Sequence, residues 1–480
     1  MFKKSMKTIL AKFMRRLIRA QLQKTSHEKL FHSSEIRVLR AFRRAAKKSY
    51  AYRTLLAECG VSTDAIKSAQ DFVRCCPILE KSNTFRRFSL SQLISDDVPT
   101  HKIASVLTSS GHGSGGFALG LSTRDQLSST PDLIDLGLEL AFDIDRYRTL
   151  LINCLPMGVT FQSNAVCVAN VSVREDMACA IVEQSGQLFE QIILCGDPLF
   201  LKKLCDYSRE KKVDWSRFRM NVIVGEETFS ETFRDYLAKT LQISLDNPSS
   251  GAIISSMGVG ELGLNLFTET RETITLRRAC IDHPELLTQL FGAGNTSHTV
   301  PTFLIFSPLR TFVEIDGADA QGIGDLLISV LDIAAPIPLL RYKTGDRAKL
   351  ISSDQLNQAL QQAGVKLEHP LLPMVALLGR AKDFLPSGGH VDQYKHALYK
   401  NPTLAKNFSG AFRLSQNDDS LLWEVQLVRG CAGDPAEFAV DLYDAFPEGG
   451  DKLKVVCHFF EDFPYGKSLD YERKFIYWIA

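Results

Sequence analysis

Arg341-Tyr342-Lys343-Thr344-Gly345-Asp346 follows an apolar, strand-like run, Asp325-Leu326-Leu327-Ile328-Ser329-Val330-Leu331, across a short Ala/Pro-containing turn. Read alone, Thr344-Gly345-Asp346 makes a turn, because glycine tolerates the positive φ that many turns demand and aspartate hydrogen-bonds nearby backbone amides. Other stretches, in order along the chain, give the hexapeptide a second reading. Upstream stand Thr108-Ser109-Ser110-Gly111-His112-Gly113-Ser114-Gly115-Gly116 and Ser255-Ser256-Met257-Gly258-Val259-Gly260-Glu261-Leu262-Gly263. Downstream stand Gly379-Arg380-Ala381-Lys382-Asp383-Phe384 with Gly388-Gly389, then a tail, Phe463 to Tyr477, that carries Lys467 and Lys474.

The chain has 480 residues, 45% hydrophobic and 23% charged, enough to bury a large core in more than one domain. Its formal net charge of +1 hides an asymmetry: the segment up to Arg53 is crowded with Lys and Arg, so the remainder is net acidic. Nucleic acid is not implied by that balance. The eleven cysteines are scattered, odd in number and without a CxxC pair, which fits reduced thiols in a cytoplasm better than a disulfide framework. Cys280 and His283 are close in sequence but lack a second pair at ligand spacing, so no metal site is expected there. No apolar run approaches the eighteen or so residues that a membrane span needs.

The 1–37 segment reads as a basic amphipathic extension. Within Met1 to Gln23, Phe2, Met6, Ile9, Leu10, Phe13, Leu17 and Ile18 recur at helical spacing among lysines and arginines, and no acid precedes Glu28. Two readings stand: a helix on an anionic membrane surface or on a partner, giving a membrane-associated form, or an extension packed on the protein's own body. From Val38 a second helix is expected. Further on, His101 to Leu107 and Phe117 to Ser122 are strand candidates flanking the Gly/Ser/Thr loop, whose amides and hydroxyls can converge on an anion. It is not a Walker loop, since Gly-Lys-Ser/Thr and an immediately following helix are missing. Strands at Gln191 to Cys195 and Asn221 to Val224, with helices from Leu199 to Arg209 and Ser230 to Thr240, predict an α/β domain. Asp197 and Pro198 suit the cap and first residue of one of these helices.

Taken together, these motifs resemble those of phenylacetate–CoA ligases, a branch of the AMP-forming, adenylate-forming superfamily. The hexapeptide is similar to Arg-Tyr-Arg-Thr-Gly-Asp of that family. Tyr52-Arg53, Gly60 and Pro77-Ile78-Leu79-Glu80-Lys81 resemble its opening, and the likeness runs from about Val38 to the C-terminus. The resemblance implies a fold of two parts: a large multi-layer α/β domain over 38–378, and a small, mobile α+β cap over 379–480. It implies that Asp346 binds the ribose hydroxyls of ATP, for which an ionised carboxylate offers suitable acceptors. Ser109, Ser110 and Gly111 fall in register with the family's phosphate loop, although His112 and Gly113 replace its two threonines and its lysine is absent. Gly225, Glu226 and Glu227 resemble a Gly-Ala-Glu that borders adenine. Met257 and Gly258 stand where an aromatic-glycine pair covers the purine, and Glu261 stands where an acid holds Mg²⁺. Gly260 replaces a hydroxyl residue. The Cys154 to Phe161 stretch is similar to a loop beside the carboxylate substrate, which brings in Gly158 and Phe161. Arg380 and Asp383 match the hinge motif, with Asp383 as the hinge and Arg380 among the residues expected to bind ATP or AMP. Lys474, ahead of Lys467, is the expected lysine that reaches the acyl-adenylate.

The implied activity is adenylation of an aryl or acyl carboxylic acid by ATP and Mg²⁺, followed by transfer to coenzyme A. Two alternatives stay open. The acceptor could instead be the phosphopantetheine of an acyl carrier protein or a protein cysteine. Alternatively, the altered phosphate loop and Gly260 could mark a non-catalytic, nucleotide-binding interaction protein.

Overall fold

The computed structural model describes residues 2–108, 118–156, 158–247, 249–292, 300–386, 389–417, 420–446, 452–465, 471–472 and 474–479. Two helices open the chain, α1 (Phe2–Lys24) and α2 (His27–Lys48), separated by a break at which the Ser26 hydroxyl caps α2 through the Lys29 amide. The second helix therefore starts at His27 rather than at Val38, and the expected 37/38 boundary falls inside it. The reason is local: a serine at the N-cap with Glu28 in the first turn starts a helix wherever apolar spacing continues, and Leu30 and Ser34 are already buried.

β1 (Ile103–Thr108) and β2 (Leu119–Thr123) pair antiparallel as a separate ribbon. The body is an eleven-stranded mixed sheet. In chain order its strands are β3 (Thr149–Asn153), β4 (Cys167–Asn170), β5 (Gln191–Gly196), β6 (Arg219–Val224), β7 (Ile253–Val259), β8 (Gly263–Thr268), β9 (Thr302–Phe306), β10 (Thr311–Asp316), β11 (Gly324–Val330), β12 (Tyr342–Ile351) and β13 (Met374–Arg380). In space they run β10-β11-β12-β13-β9-β8-β7-β6-β5-β3-β4. The half from β4 to β7 is parallel and the half from β7 to β10 is antiparallel, so β7 is the strand at which direction changes.

Of the parallel strands, β4 at the sheet edge is partly exposed, while β3, β5 and β6 are buried on both faces, as helical crossovers require. Their side chains alternate between two cores. Leu150, Ile152, Ile192, Leu194, Val222 and Val224 enter one, while Leu151, Ile193, Cys195 and Ile223 enter the other. The first core is covered by helices Pro198–Glu210 and Glu231–Thr240, which Asp197 and Ser230 cap through the Phe200 and Phe233 amides. It continues into the C-terminal residues, where Phe233 and Tyr399 bring their rings to 4.7 Å and Tyr236 and Tyr399 to 5.4 Å.

β13 ends at Arg380, and the chain after it lies outside the large sheet. It forms a second, four-stranded sheet ordered β16-β15-β14-β17, from β14 (Phe408–Asn417), β15 (Ser420–Leu427), β16 (Leu453–His458) and β17 (Trp478–Ile479). The architecture is α/β, with a large mixed sheet and a small C-terminal one. All eleven cysteines are unpaired. Among the described residues no three metal-ligating side chains cluster, and no helix is long and apolar enough to cross a membrane.

Candidate active site

One cavity of about 700 Å³ lies where the parallel strands end and the antiparallel half begins. Such a position is where open α/β sheets bind ligands, because the connections leaving adjacent strands part there. Its walls take Leu155 after β3, Cys195 at the end of β5, Gly225 to Thr228 after β6, and Ser255 to Glu261 along β7 and its turn.

Thr344-Gly345-Asp346 is not a free turn. It lies within β12, where Gly345 takes a φ of +85° and Asp346 pairs with Arg380 of β13 across the ladder. Asp346 is buried, its amide donates to Thr344 Oγ1 at 3.2 Å, and Arg380 Nε stands 3.9 Å from its Oδ1. Burial raises its pKa above the ordinary carboxyl value, opposed by Arg380, the Thr344 hydrogen bond and the charge of Lys474. Arg341, at the head of the motif, does something else. Its guanidinium is buried against Glu314 at 3.0 Å and the Cys76 carbonyl, away from the cavity lining.

Glu261 occupies the turn from β7 to β8. Tyr342 Oη donates to its Oε1 at 2.6 Å, and Lys81 Nζ stands 3.7 Å from the same oxygen. Its Oε2 is buried and has no hydrogen-bond partner among the described residues. The turn is held close to β2: a Cβ at Gly120 would meet the Gly260 carbonyl oxygen at 2.2 Å, so only glycine lets the ribbon touch this turn. Lys81 arrives because the Leu79 amide donates to Arg341 O at 3.0 Å and the Lys343 amide to Leu79 O at 2.9 Å, an added bridge on the edge of β12. Proline-to-lysine spacing marked this stretch in the sequence, but nothing there assigned Lys81, Arg86, Tyr342 or Thr344 to the cavity, whose walls all four join.

Glu226 is held at a φ of +70°, an uncommon conformation for a residue with a side chain and one that clusters at functional sites. Lys474 reaches it from the tail, 2.9 Å from its carbonyl and 2.9 Å from Oε2. Glu227 accepts from Lys395 at 2.5 Å and from Tyr477 Oη at 3.4 Å, while Asp392 accepts from Thr228. These bonds tie helix Val391–Lys400 and the tail to the loop after β6, and Lys395 and Lys474 join the cavity wall. Gly379, at a φ of +114°, packs against the His390 ring, where a Cβ would come within 2.6 Å of Nε2.

Of the expected site residues, Gly225, Glu226, Glu227, Met257, Gly258, Glu261, Asp346, Arg380, Asp383, Lys474 and Phe161 all line this one cavity. Gly158 does not; it is exposed, and its neighbour Val159 takes the wall instead. Ser109, Ser110, Gly111 and Lys467 lie outside the described residues, although Thr108, which leads into the loop, lines the cavity. Part of the cavity wall is apolar, formed by Ile134, Leu138, Phe142, Leu155, Val159 and Ile223, which pack in one cluster.

No family model matches the sequence, and no curated protein matches it. Solved structures do match in shape. 2-Hydroxyisobutyryl-CoA ligase in the postadenylation state, in complex with 2-HIB-AMP, superposes with a TM-score of 0.65 at 13% identity over 95% of this chain and 89% of that one. An open conformation of that ligase with 2-HIB-AMP and CoA gives 0.54 at 14% identity, over 95% and 91%. Its thioesterification state gives 0.52 at 14%, over 90% and 86%. At such identity the likeness establishes the fold alone, an α/β architecture shared with that ligase.

Proposed function

We propose that this protein is an AMP-forming ligase that activates an apolar carboxylic acid with ATP and transfers the acyl group to coenzyme A. The observation that carries the reading is convergence. Glu261, Asp346 and Lys474, from three separate stretches, line one cavity at the switch from parallel to antiparallel strands. In the adenylate-forming fold, the matched ligase named above is described with an acyl-AMP and with CoA.

Each side chain has a task in the reaction. Asp346, on a rigid strand, accepts from the ribose hydroxyls and fixes the nucleotide's orientation. Gly258 and Met257 present backbone and a polarizable thioether to the purine face. Glu261 suits a magnesium ion, because its Oε2 is a buried oxygen that no hydrogen bond among the described residues satisfies. Bound there, the ion would neutralise phosphate charge. Tyr342 holds the other oxygen of Glu261 and so sets the carboxylate's angle.

The acid's carboxylate oxygen attacks the α-phosphorus, the bond to the β-phosphate breaks, and pyrophosphate leaves. Lys474 brings a positive charge to the cavity, where the carboxylate and phosphate approach. The thiol sulfur then attacks the acyl carbon and AMP departs. The apolar wall from Ile134 to Ile223 excludes water and selects acids with a hydrophobic body and one charged end. Asp383 lines the same cavity just beyond β13 and is the hinge in this reading, so that the segment after it can change its seat between the two half-reactions. The sequence motifs favour the phenylacetate–CoA ligase-like branch.

Acid-dependent exchange of labelled pyrophosphate into ATP tests the first half-reaction, and CoA-dependent release of AMP tests the second. A panel of aryl and medium-chain acids is expected to drive exchange, and short hydroxy acids are expected to fail. Exchange with no acid in the panel would overturn the reading. AMP release with a phosphopantetheinylated carrier protein, but not with CoA, would reassign the acceptor.

A further inference from the structure

Helix α1 is mounted inside out. Its inward contacts are basic: Lys12 donates to the Asp145 carbonyl at 2.7 Å, Arg15 pairs with the Asp145 carboxylate, and Arg19 stands 3.6 Å from Asp143. Arg15 is also 4.0 Å from Asp135, a fully buried acid on helix Arg124–Phe142 that accepts from Ser163 and Asn164. Clamping this side leaves the opposite side outward, and there Ile9, Leu10, Phe13 and Leu17 are 65%, 59%, 59% and 49% exposed, with Met14 beside them. These positions fall on one helical stripe. A contiguous apolar stripe facing solvent marks an interaction site.

Charge decides what covers it. Residues 1–53 hold 16 Lys and Arg against two acids, Glu28 and Glu35, in a chain whose net charge is only +1. α1 itself holds eight of the basic residues and no acid; Lys12, Arg15 and Arg19 turn to the protein, and Arg16 and Lys24 are exposed. On α2, Lys29, Arg40, Arg43 and Lys47 are all exposed, at helical spacing along one side, with Ile36 among them. Two copies of such a surface would repel each other. An anionic lipid surface matches both features, since an amphipathic helix buries apolar side chains at the headgroup boundary while nearby cations attract acidic lipids.

We propose that the exposed apolar stripe of α1, together with the exposed basic residues Arg16 of α1 and Lys29, Arg40, Arg43 and Lys47 of α2, docks the protein peripherally on an anionic membrane surface. The docking is separate from the catalytic reading, because none of Ile9, Leu10, Phe13 or Leu17 lines the cavity.

Co-sedimentation of the full chain with phosphatidylcholine vesicles, with and without phosphatidylserine, tests this. Binding to the phosphatidylserine vesicles is expected to exceed binding to the neutral ones by roughly tenfold or more at low salt, and to fall as salt rises. The double substitution Phe13→Glu with Leu17→Glu is expected to abolish it with little change in the melting temperature, because about half of each residue already stands in solvent. Equal binding to both vesicle types, no binding to either, or binding that survives the double substitution would each overturn the proposal. So would a self-associated form in sedimentation velocity that the same substitution dissolves.

Discussion

Replacing Asp346 by Asn separates a nucleotide ligand from a structural strand residue. In the proposed complex the carboxylate accepts from two ribose hydroxyls. Asn keeps one acceptor and places donors where the second stood, so one charge-assisted bond is lost and the other loses its charge. A hydrogen bond to a charged group contributes about 1.5–3 kcal/mol, which sets the expected loss at roughly 2–3 kcal/mol, or about 30- to 150-fold in ATP affinity. Stability should move the other way. Burial holds the Asp346 pKa above its ordinary value, so the fold bears a cost for the ionised form at neutral pH that Asn removes. What Asn gives up is the Arg380 contact at 3.9 Å, and that guanidinium is 39% exposed, so the lost pair contributes little. The expected result is weaker ATP binding by calorimetry with an unchanged or higher melting temperature. The parent should also discriminate against 2′-deoxy-ATP, and the variant should do so far less. If the variant bound ATP within about threefold of the parent and melted several degrees lower, Asp346 would be a structural residue and the ribose assignment would fail.

Three further outcomes are expected. Lys474→Ala should slow acid-dependent pyrophosphate exchange by about 100-fold or more while changing ATP affinity little, since an electrostatic group acting in the transition state costs on the order of 3 kcal/mol when removed; equal losses in both would point to a binding role instead. Gly120→Ala should cost about 1–3 kcal/mol in chemical denaturation and raise the Mg²⁺ concentration needed for exchange, because a Cβ there meets the Gly260 carbonyl and displaces Glu261; an unaltered denaturation midpoint would refute the close approach. Asp197 tests a pH effect. Burial pushes its carboxyl up to about 7, helped by Glu227 and Glu226 and opposed by the Phe200 amide. The folded protein thus keeps a proton that the unfolded chain releases near 3.8, and stability must fall as pH rises between those values. Asp197→Asn, which retains the helix cap, should flatten that fall and gain on the order of 1–3 kcal/mol at pH 8 relative to pH 5, read from paired thermal melts. A difference from the parent that is the same at both pH values would remove Asp197 as its source.

Much of the fold is legible in the chain because it follows from rules that act over a few residues. The strands at 191–196 and 219–224 carry the apolar runs 192–195 and 222–224, whose alternate side chains suit two covered faces, and Asp197-Pro198 and Ser230 start helices by capping their first amides. The motif order likewise places Asp346, Glu261 and Arg380 among the candidate ligands. The phosphate loop at Ser109 to Gly111 and Lys467 are legible as motifs but lie outside the described residues.

What needed the third dimension is everything set by partners far along the chain. Lys81 enters the cavity only because Leu79 bridges to β12, more than 250 residues away, and Asp346 faces Arg380 only through the register of β12 on β13. Val159 rather than Gly158 reaches the cavity wall because of how one loop turns. The orientation of α1 is the sharpest case. Its apolar spacing belongs to the sequence alone, and the ordinary expectation from spacing is that an apolar face turns inward. Instead, the carboxylates of Asp135 and Asp145 draw Arg15 inside, since a buried charge is tolerable only when paired, and the leucines and phenylalanine are left outside.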